Sequence, residues 1–257
     1  MKINENISRL TVPFLDIFTT ICTVRTPEGV LIFDTATTPE DVTEHLLPFL
    51  SAEGISLEEV RAIFISHSHG DHAGGLPTLL PLVPNAKVYS RSKKIGESFP
   101  DRVVSPEDGD MLPGTLQVVT IPGHSKDSAG LLDLRSGTLL SGDCLQLYGI
   151  FGSGFWGSNI TLPTLHLQAL EKLRSLPLRQ IIAAHDYHPL GWRFDTPEKI
   201  SAALDACRDA LFRIRDLIAQ NPTLDHEELA HLAGDGVAYP RLHTRVITAL
   251  CRELTSL

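Results

Sequence analysis

The period of hydrophobic and polar positions changes several times along the chain, and the changes divide it into elements. Residues 8–14, 20–25 and 30–34 are dense in Val, Ile, Phe and Thr, the composition of strands. Pro27, Glu28 and Gly29 separate the last two runs with turn chemistry, which predicts a β-hairpin. A helix is expected from Pro39 to Phe49, because its start is acidic and Val42, Leu46 and Leu47 recur at helical spacing. Residues 58–65 lead into an apolar strand. Residues 73–82 read as a helix interrupted by Pro77 and Pro81, and 86–90 as a strand. Residues 116–121 alternate as a strand and run into Pro122-Gly123-His124. A second hairpin is expected from 130–134 and 138–140 around Arg135-Ser136-Gly137. Residues 165–176 have helical spacing, and 179–184 are expected to be the last strand.

From Pro197 onward only helical patterns recur, at 197–220, 225–232 and 242–254. Leu204, Cys207, Leu211, Ile214 and Leu217 lie at the spacing of one packed helix face. The expected organisation is therefore a mixed α/β domain over residues 1–195. A helical extension over 196–257 would pack on that core or on a homodimer partner.

Composition narrows the classes. The chain has 257 residues and a formal charge of −9; a negative field repels phosphate backbones, so no nucleic-acid partner is expected. No apolar run approaches the length that spans a bilayer, and MKINENISRLTVPFLDIFTT lacks the apolar stretch of an export signal, so no membrane association is expected. Cys22, Cys144, Cys207 and Cys251 are scattered with no CxxC pair, as free thiols of a cytoplasmic protein would be.

The chemistry collects after strands. The stretch FISHSHGDHAGG places His67, His69, Asp71 and His72 directly behind an apolar run. His124 follows VVTIPG, Asp143 follows TLLSG, and His185 follows IIAA. Open sheets carry their sites beyond the carboxyl ends of strands, so the four loops are expected to meet at one edge. Imidazole and carboxylate suit Zn²⁺ and related divalent ions. His67 and His69 are one residue apart and project the same way from an extended segment, and Gly70 is expected to make the sharp turn that returns Asp71 and His72. Seven ligands exceed one tetrahedral ion and suit two. One ion would take His67, His69 and His124, the other Asp71, His72 and His185, with Asp143 shared. A water between two cations becomes a hydroxide nucleophile near neutral pH, and Asp71 would orient it.

The order HSHGDH, PGHS, SGD and AAH resembles the metallo-β-lactamase superfamily over about Leu10 to Pro189. The resemblance implies an αββα sandwich, an α/β fold of two mixed sheets flanked by helices, with a dinuclear metal site built from the same seven residues. It also implies that Asp34, in LIFDTA, buttresses the His-rich loop from behind the ligands. The spacing is similar to that of glyoxalase II-like hydrolases, acyl-homoserine lactonases and thioesterases. The expected activity is metal-dependent hydrolysis of an ester, thioester or lactone of a small molecule, with two Zn²⁺ ions, or Mn²⁺ or Fe²⁺ in their place. A β-lactamase and a mononuclear iron persulfide dioxygenase are the alternatives. After the third histidine the chain reads Ser125-Lys126-Asp127-Ser128 where many glyoxalase II-like members read TPGS, so glutathione specificity does not follow.

Around the ligands, Tyr148, Phe151, Phe155 and Trp156 lie among glycines after Asp143. They form either a lid that grips an acyl or aryl group or aromatic packing. Tyr187, two residues past His185, either donates to an oxyanion or packs. His45, His166, His188, His226, His231 and His243 are read as surface or satisfied core residues. Cys144 adjoins a ligand but points away from it, as a structural thiol.

Overall fold

The structure, a computed structural model, describes residues 1–15, 17–147, 158–187, 190–234 and 242–253. The chain divides into two compact units, Met1–Thr120 with Ala129–Arg135, and Ile121–Ser128 with Ser136–Leu257.

The first unit begins with β1 (Ile7–Phe14), β2 (Ile17–Thr26) and β3 (Gly29–Phe33), then α1 (Leu47–Ala52) and β4 (Val60–Ile65). The short helices α2 (Gly70–Ala73) and α3 (Leu76–Leu79) follow, then β5 (Lys87–Ser90), α4 (Lys93–Ser98) and β6 (Val103–Val104). It closes with β7 (Met111–Leu112), β8 (Leu116–Thr120) and β9 (Ala129–Asp133). Strands β1 to β6 form a sheet in sequence order. It is antiparallel through β3 and parallel from β3 to β6. The β2–β3 hairpin expected from the sequence turns at Pro27-Glu28, with Thr26 opposite Gly29. Gly29 is required there: its φ is +131°, and a Cβ would lie 2.5 Å from the Glu59 carbonyl oxygen.

The parallel centre explains the unbroken apolar runs. Val30 to Phe33 and Ala62 to Ile65 are buried throughout, as strands covered on both faces must be. Ile32, Ile63 and Ile65 pack with Val42, Leu46, Leu50, Leu76 and Leu79 in one core cluster. Each such side chain contributes roughly 1.5–3 kcal/mol on burial. Phe33 and Phe64 stack at 5.5 Å. These neighbours hold the ends of β3 and β4 side by side, where Asp34 and the His-rich loop leave the sheet.

In the second unit, β10 (Thr138–Leu140) is followed by α5 (Pro163–Ser175), β11 (Gln180–Tyr187) and β12 (Gly191–Phe194). The helices α6 (Pro197–Gln220), α7 (His226–Gly234) and α8 (Thr244–Glu253) come last. Strand β10 runs parallel to β11, and β12 antiparallel to it. Ile160 shares a core with Leu211, Ile214, Leu229, Val246, Ile247 and Leu250, so the last three helices pack on one another and on the segment before α5. The α/β class expected from the sequence, two mixed sheets flanked by helices, is the one observed.

Three local expectations are corrected. The helix after Pro39 is π-helical over Asp41–Leu46 before it becomes α1. The Asp41 carboxylate accepts from the Thr37 and Thr38 amides at 2.9 Å each and fixes its start. The element expected over 73–82 is three pieces, broken at Gly74-Gly75 and again at Pro81, which sits in a 3-10 turn over Leu80–Leu82. Residues 179–184 are not the last strand, because β12 follows. All four cysteines are free, and no helix among the described residues is long and apolar enough to cross a membrane.

Candidate metal-binding site

In the first unit, β4 ends at Ile65, and Ser66 to His69 link it to α2 through bends at Ser66, Ser68 and His69. His69 has φ −68° and ψ 152°, and α2 begins at Gly70. Asp71 and His72 are thus presented by a helical turn rather than by a left-handed glycine. Gly70 is not among the positive-φ residues and has open space where a Cβ would stand. The glycines that matter are the next two. A Cβ on Gly74 would lie 2.0 Å from the Thr37 carbonyl oxygen, and one on Gly75 2.1 Å from that of Thr35. Close approach to residues 34–37 is what HAGG encodes.

That approach clamps the turn that carries Asp71 and His72. The Thr35 amide and hydroxyl both donate to the His72 carbonyl, at 2.7 and 3.0 Å, and the Thr19 hydroxyl donates to the Asp71 carbonyl at 2.9 Å. Asp34 is fully buried in the left-handed region at φ +61°, a conformation that Asp tolerates better than most residues. Its Oδ1 accepts from the Ser66 amide at 2.7 Å, and Oδ2 from the Ser66 hydroxyl and His72 Nδ1, both at 2.8 Å. Burial pushes this carboxyl above the usual range, against the pull of His72 and of the Ser66 bonds. The His67 ring lies 4.6 Å from that of His69 and 4.2 Å from that of His72, so three imidazoles converge. His72 Nε2 faces Asp71 Oδ2 at 3.2 Å.

In the second unit, Asp143 presents its two oxygens to two histidines. Oδ2 lies 3.4 Å from His124 Nε2, and Oδ1 3.2 Å from His185 Nε2. All three side chains are buried. His185 sits within β11, where the pairing with β12 shifts register between Ile182 and Tyr187, and Tyr187 is buried at the strand's end. His124 Nδ1 lies 2.8 Å from the Asn159 carbonyl. Gln146 joins the two sides: its Oε1 accepts from the Asn159 amide at 2.7 Å, and its Nε2 donates to the Asp143 carbonyl at 3.0 Å.

Donor chemistry tests whether these residues fit a cation. A backbone carbonyl only accepts, so Asn159 fixes a proton on His124 Nδ1 and leaves Nε2 an acceptor in the neutral ring. Asp34 does the same for His72. Each lone pair then faces a carboxylate oxygen, Asp143 or Asp71, an acceptor against an acceptor. Such a pair needs positive charge between its members, which a second proton on the imidazole or a divalent ion supplies. The residues fit.

His166 departs from its expected role. It is buried on α5 against Gly123, where a Cβ would lie 2.7 Å from its ring. Its Nε2 has no hydrogen-bond partner among the described residues. Burial, and then His124, lower its pKa to about 4. Cys144 is buried and its thiol is pushed up by burial, as a structural thiol. Gln146 and Asn159 carry no signature that the sequence could flag, because their roles run through backbone atoms. Tyr148, Phe151, Phe155, Trp156 and His188 lie outside the described residues.

Imidazoles and carboxylates gathered where strands leave a mixed α/β sheet are the donor set of a metalloprotein. Residues 18–185 match the family model of the metallo-beta-lactamase superfamily, and the chain belongs to that superfamily. It is similar to the hydroxyacylglutathione hydrolase of Thermosynechococcus vestitus, at 31% identity over 180 residues, 65% of this chain and 66% of that protein. It also resembles the hydroxyacylglutathione hydrolase of a Synechococcus strain, at 35% identity over 161 residues, 59% of each. The chain spans between about half and two thirds of the length of these curated relatives. Among solved structures, a metallo-beta-lactamase family protein from Thermus thermophilus shares the fold, with a TM-score of 0.74 and 20% identity. The match covers 99% of this chain and 95% of that one.

Proposed function

We propose that the chain is a metal-dependent hydrolase of an ester, thioester or lactone in a small molecule. The observation that carries this reading is Asp143, whose two carboxylate oxygens address two different histidines, the posture of a carboxylate shared by two ions. The ligands would be His67, His69 and His124 for one ion and Asp71, His72 and His185 for the other, with Asp143 common to both. Bound there, two Zn²⁺ ions would supply a deprotonated water near neutral pH and polarise the acyl carbonyl. The remaining work falls to side chains. Asp71 would accept a hydrogen bond from the attacking water and aim it, and Tyr187 would donate its hydroxyl to the oxyanion as the carbonyl becomes tetrahedral. Asp34 and Asn159 would keep the protons of His72 and His124 on Nδ1, away from the ligand nitrogens. The relatives are named for a thioester substrate, hydroxyacylglutathione, which places that bond type first in the panel.

The test is elemental analysis of the purified chain, followed by a panel of acyl esters, thioesters and lactones at matched zinc loading. Turnover that is lost to a chelator and restored by Zn²⁺ or Mn²⁺ is expected. A metal-loaded preparation that turns over no member of the panel would overturn the assignment, and one iron per chain with sulfite formed from a persulfide would replace it with the oxygenase.

A further inference from the structure

The side chain of Gln146 is buried, with both ends of its amide engaged. Its two partners are the backbones of residues that lead to two proposed ligands. Nε2 donates to the carbonyl of Asp143 itself, at 3.0 Å. Oε1 accepts from the amide of Asn159 at 2.7 Å, and the Asn159 carbonyl in turn lies 2.8 Å from His124 Nδ1. One carboxamide therefore spans from the chain of one ligand to the peptide that orients the other.

The strut is anchored from behind by the C-terminal helices. The backbone N–H of Gln146, not its side chain, faces the buried thiol of Cys207 on α6. Ser158 donates to the carbonyls of Gln146, at 3.3 Å, and Leu147. On α8, Arg245 Nε reaches Asn159 Oδ1 at 3.3 Å, and Glu253 Oε2 accepts from the Thr164 amide at 3.2 Å. The residue whose carbonyl faces His124 is thus tied to α8 through its side chain, and the backbone of Gln146 abuts α6.

We infer that Gln146 is a positioning residue that fixes His124 and Asp143 relative to each other, and that α6 and α8 hold this strut in place. The inference rests on the proposed metal site. A neutral amide suits the task, since it donates to one backbone group and accepts from the other with no charge of its own beside the ligands. Methionine has the same length and neither bond. Outer partners of metal ligands set affinity through geometry, so their loss costs about 10–100-fold in metal binding.

The experiment compares the full chain with Gln146→Met and Ile55→Val, each stripped of metal and titrated with Zn²⁺ against a chromophoric chelator, and with Co²⁺ while its visible absorption is recorded. Ile55 lies in the apolar core of the first unit, outside the strut and the helices that hold it, so its variant controls for lost stability. Gln146→Met is expected to weaken Zn²⁺ binding about 10–100-fold and to alter the Co²⁺ spectrum of folded protein, while Ile55→Val leaves both unchanged. Wild-type affinity and spectrum in Gln146→Met, or equal losses in both variants, would overturn the strut. Absence of Zn²⁺ binding by the unaltered chain would overturn the metal site and the strut with it. If Gln146→Met does not fold, Arg245→Ala replaces it. Losing one exposed bond to Asn159 should weaken Zn²⁺ about two- to tenfold and shift the Co²⁺ spectrum, and no shift would overturn the inference.

Discussion

Replacing Asp34 by alanine and by asparagine separates two jobs that its carboxylate performs at once. The wild-type side chain is fully buried and accepts from three donors, the Ser66 amide at 2.7 Å and the Ser66 hydroxyl and His72 Nδ1 at 2.8 Å. Alanine strands all three. Each buried donor without a partner costs about 1–3 kcal/mol, and water entering the vacated space recovers part of it, so a net loss of about 3–5 kcal/mol is expected. For a chain of this size that lowers Tm by about 6–20 °C. Asparagine keeps Oδ1 for the Ser66 amide and puts an NH₂ where Oδ2 stood. The Ser66 hydroxyl rotates to accept, and His72 must move its proton from Nδ1 to Nε2 to accept as well. Nε2–H then finds Asp71 Oδ2 at 3.2 Å, so the metal-free variant is destabilised by only about 1–2 kcal/mol. Its ligand nitrogen is now protonated, however. Zn²⁺ affinity should fall about 10–100-fold in both variants, while only alanine loses much Tm. Calorimetry of the metal-free proteins and chelator competition measure the two quantities. Asp34→Asn with wild-type Zn²⁺ affinity would refute the tautomer account, and equal Tm losses would refute the donor count.

Other outcomes follow from the same geometry. Gly70→Ala has open space and an ordinary φ and should be neutral or stabilising by about 0.5–1 kcal/mol, whereas Gly75→Ala meets the Thr35 carbonyl at 2.1 Å and should cost about 1–3 kcal/mol in urea unfolding. His166 is held neutral, its folded pKa of about 4 lying below the ordinary value of 6.5, so protonation favours the unfolded chain. Its contribution is intact above about pH 6.5 and falls by about 1.4 kcal/mol per pH unit toward pH 4. Between pH 7.5 and 5.0, the metal-free wild type should therefore lose about 2 kcal/mol more stability than His166→Leu, and parallel profiles would contradict this. Cys22 and Cys207 are buried with thiols pushed up to about 12, and Cys144 is pushed up further, so iodoacetamide at pH 8 should label Cys251 alone until denaturant is added.

The sequence carried the proposed ligands more plainly than their supports. Strands β3 and β4 were legible because parallel strands buried on both faces must be apolar throughout, and the loops beyond them could be placed at strand ends on that ground alone. Asp34 was legible through the family resemblance, and its carboxylate accepts from Ser66 and His72. Strand β12 escaped because it is short, only one of its four residues is buried, and its place comes from pairing with β11. Gly70 was assigned the sharp turn that returns Asp71 and His72, yet it opens helix α2 with open space around it, while the real demand for glycine fell on Gly74 and Gly75, whose neighbours are far away in sequence. Gln146 and Asn159 were invisible for a related reason. Each bond has a backbone atom at one end, with partners 3 to 35 residues apart, and backbone atoms leave no mark on residue type.

The central claim is that seven side chains hold two divalent ions that share Asp143. Anomalous diffraction from zinc-loaded crystals tests it most directly. Two peaks are expected, one among His67, His69 and His124 and one among Asp71, His72 and His185, with an oxygen of Asp143 bound to each. A single peak, or two peaks with Asp143 bound to neither, would contradict it.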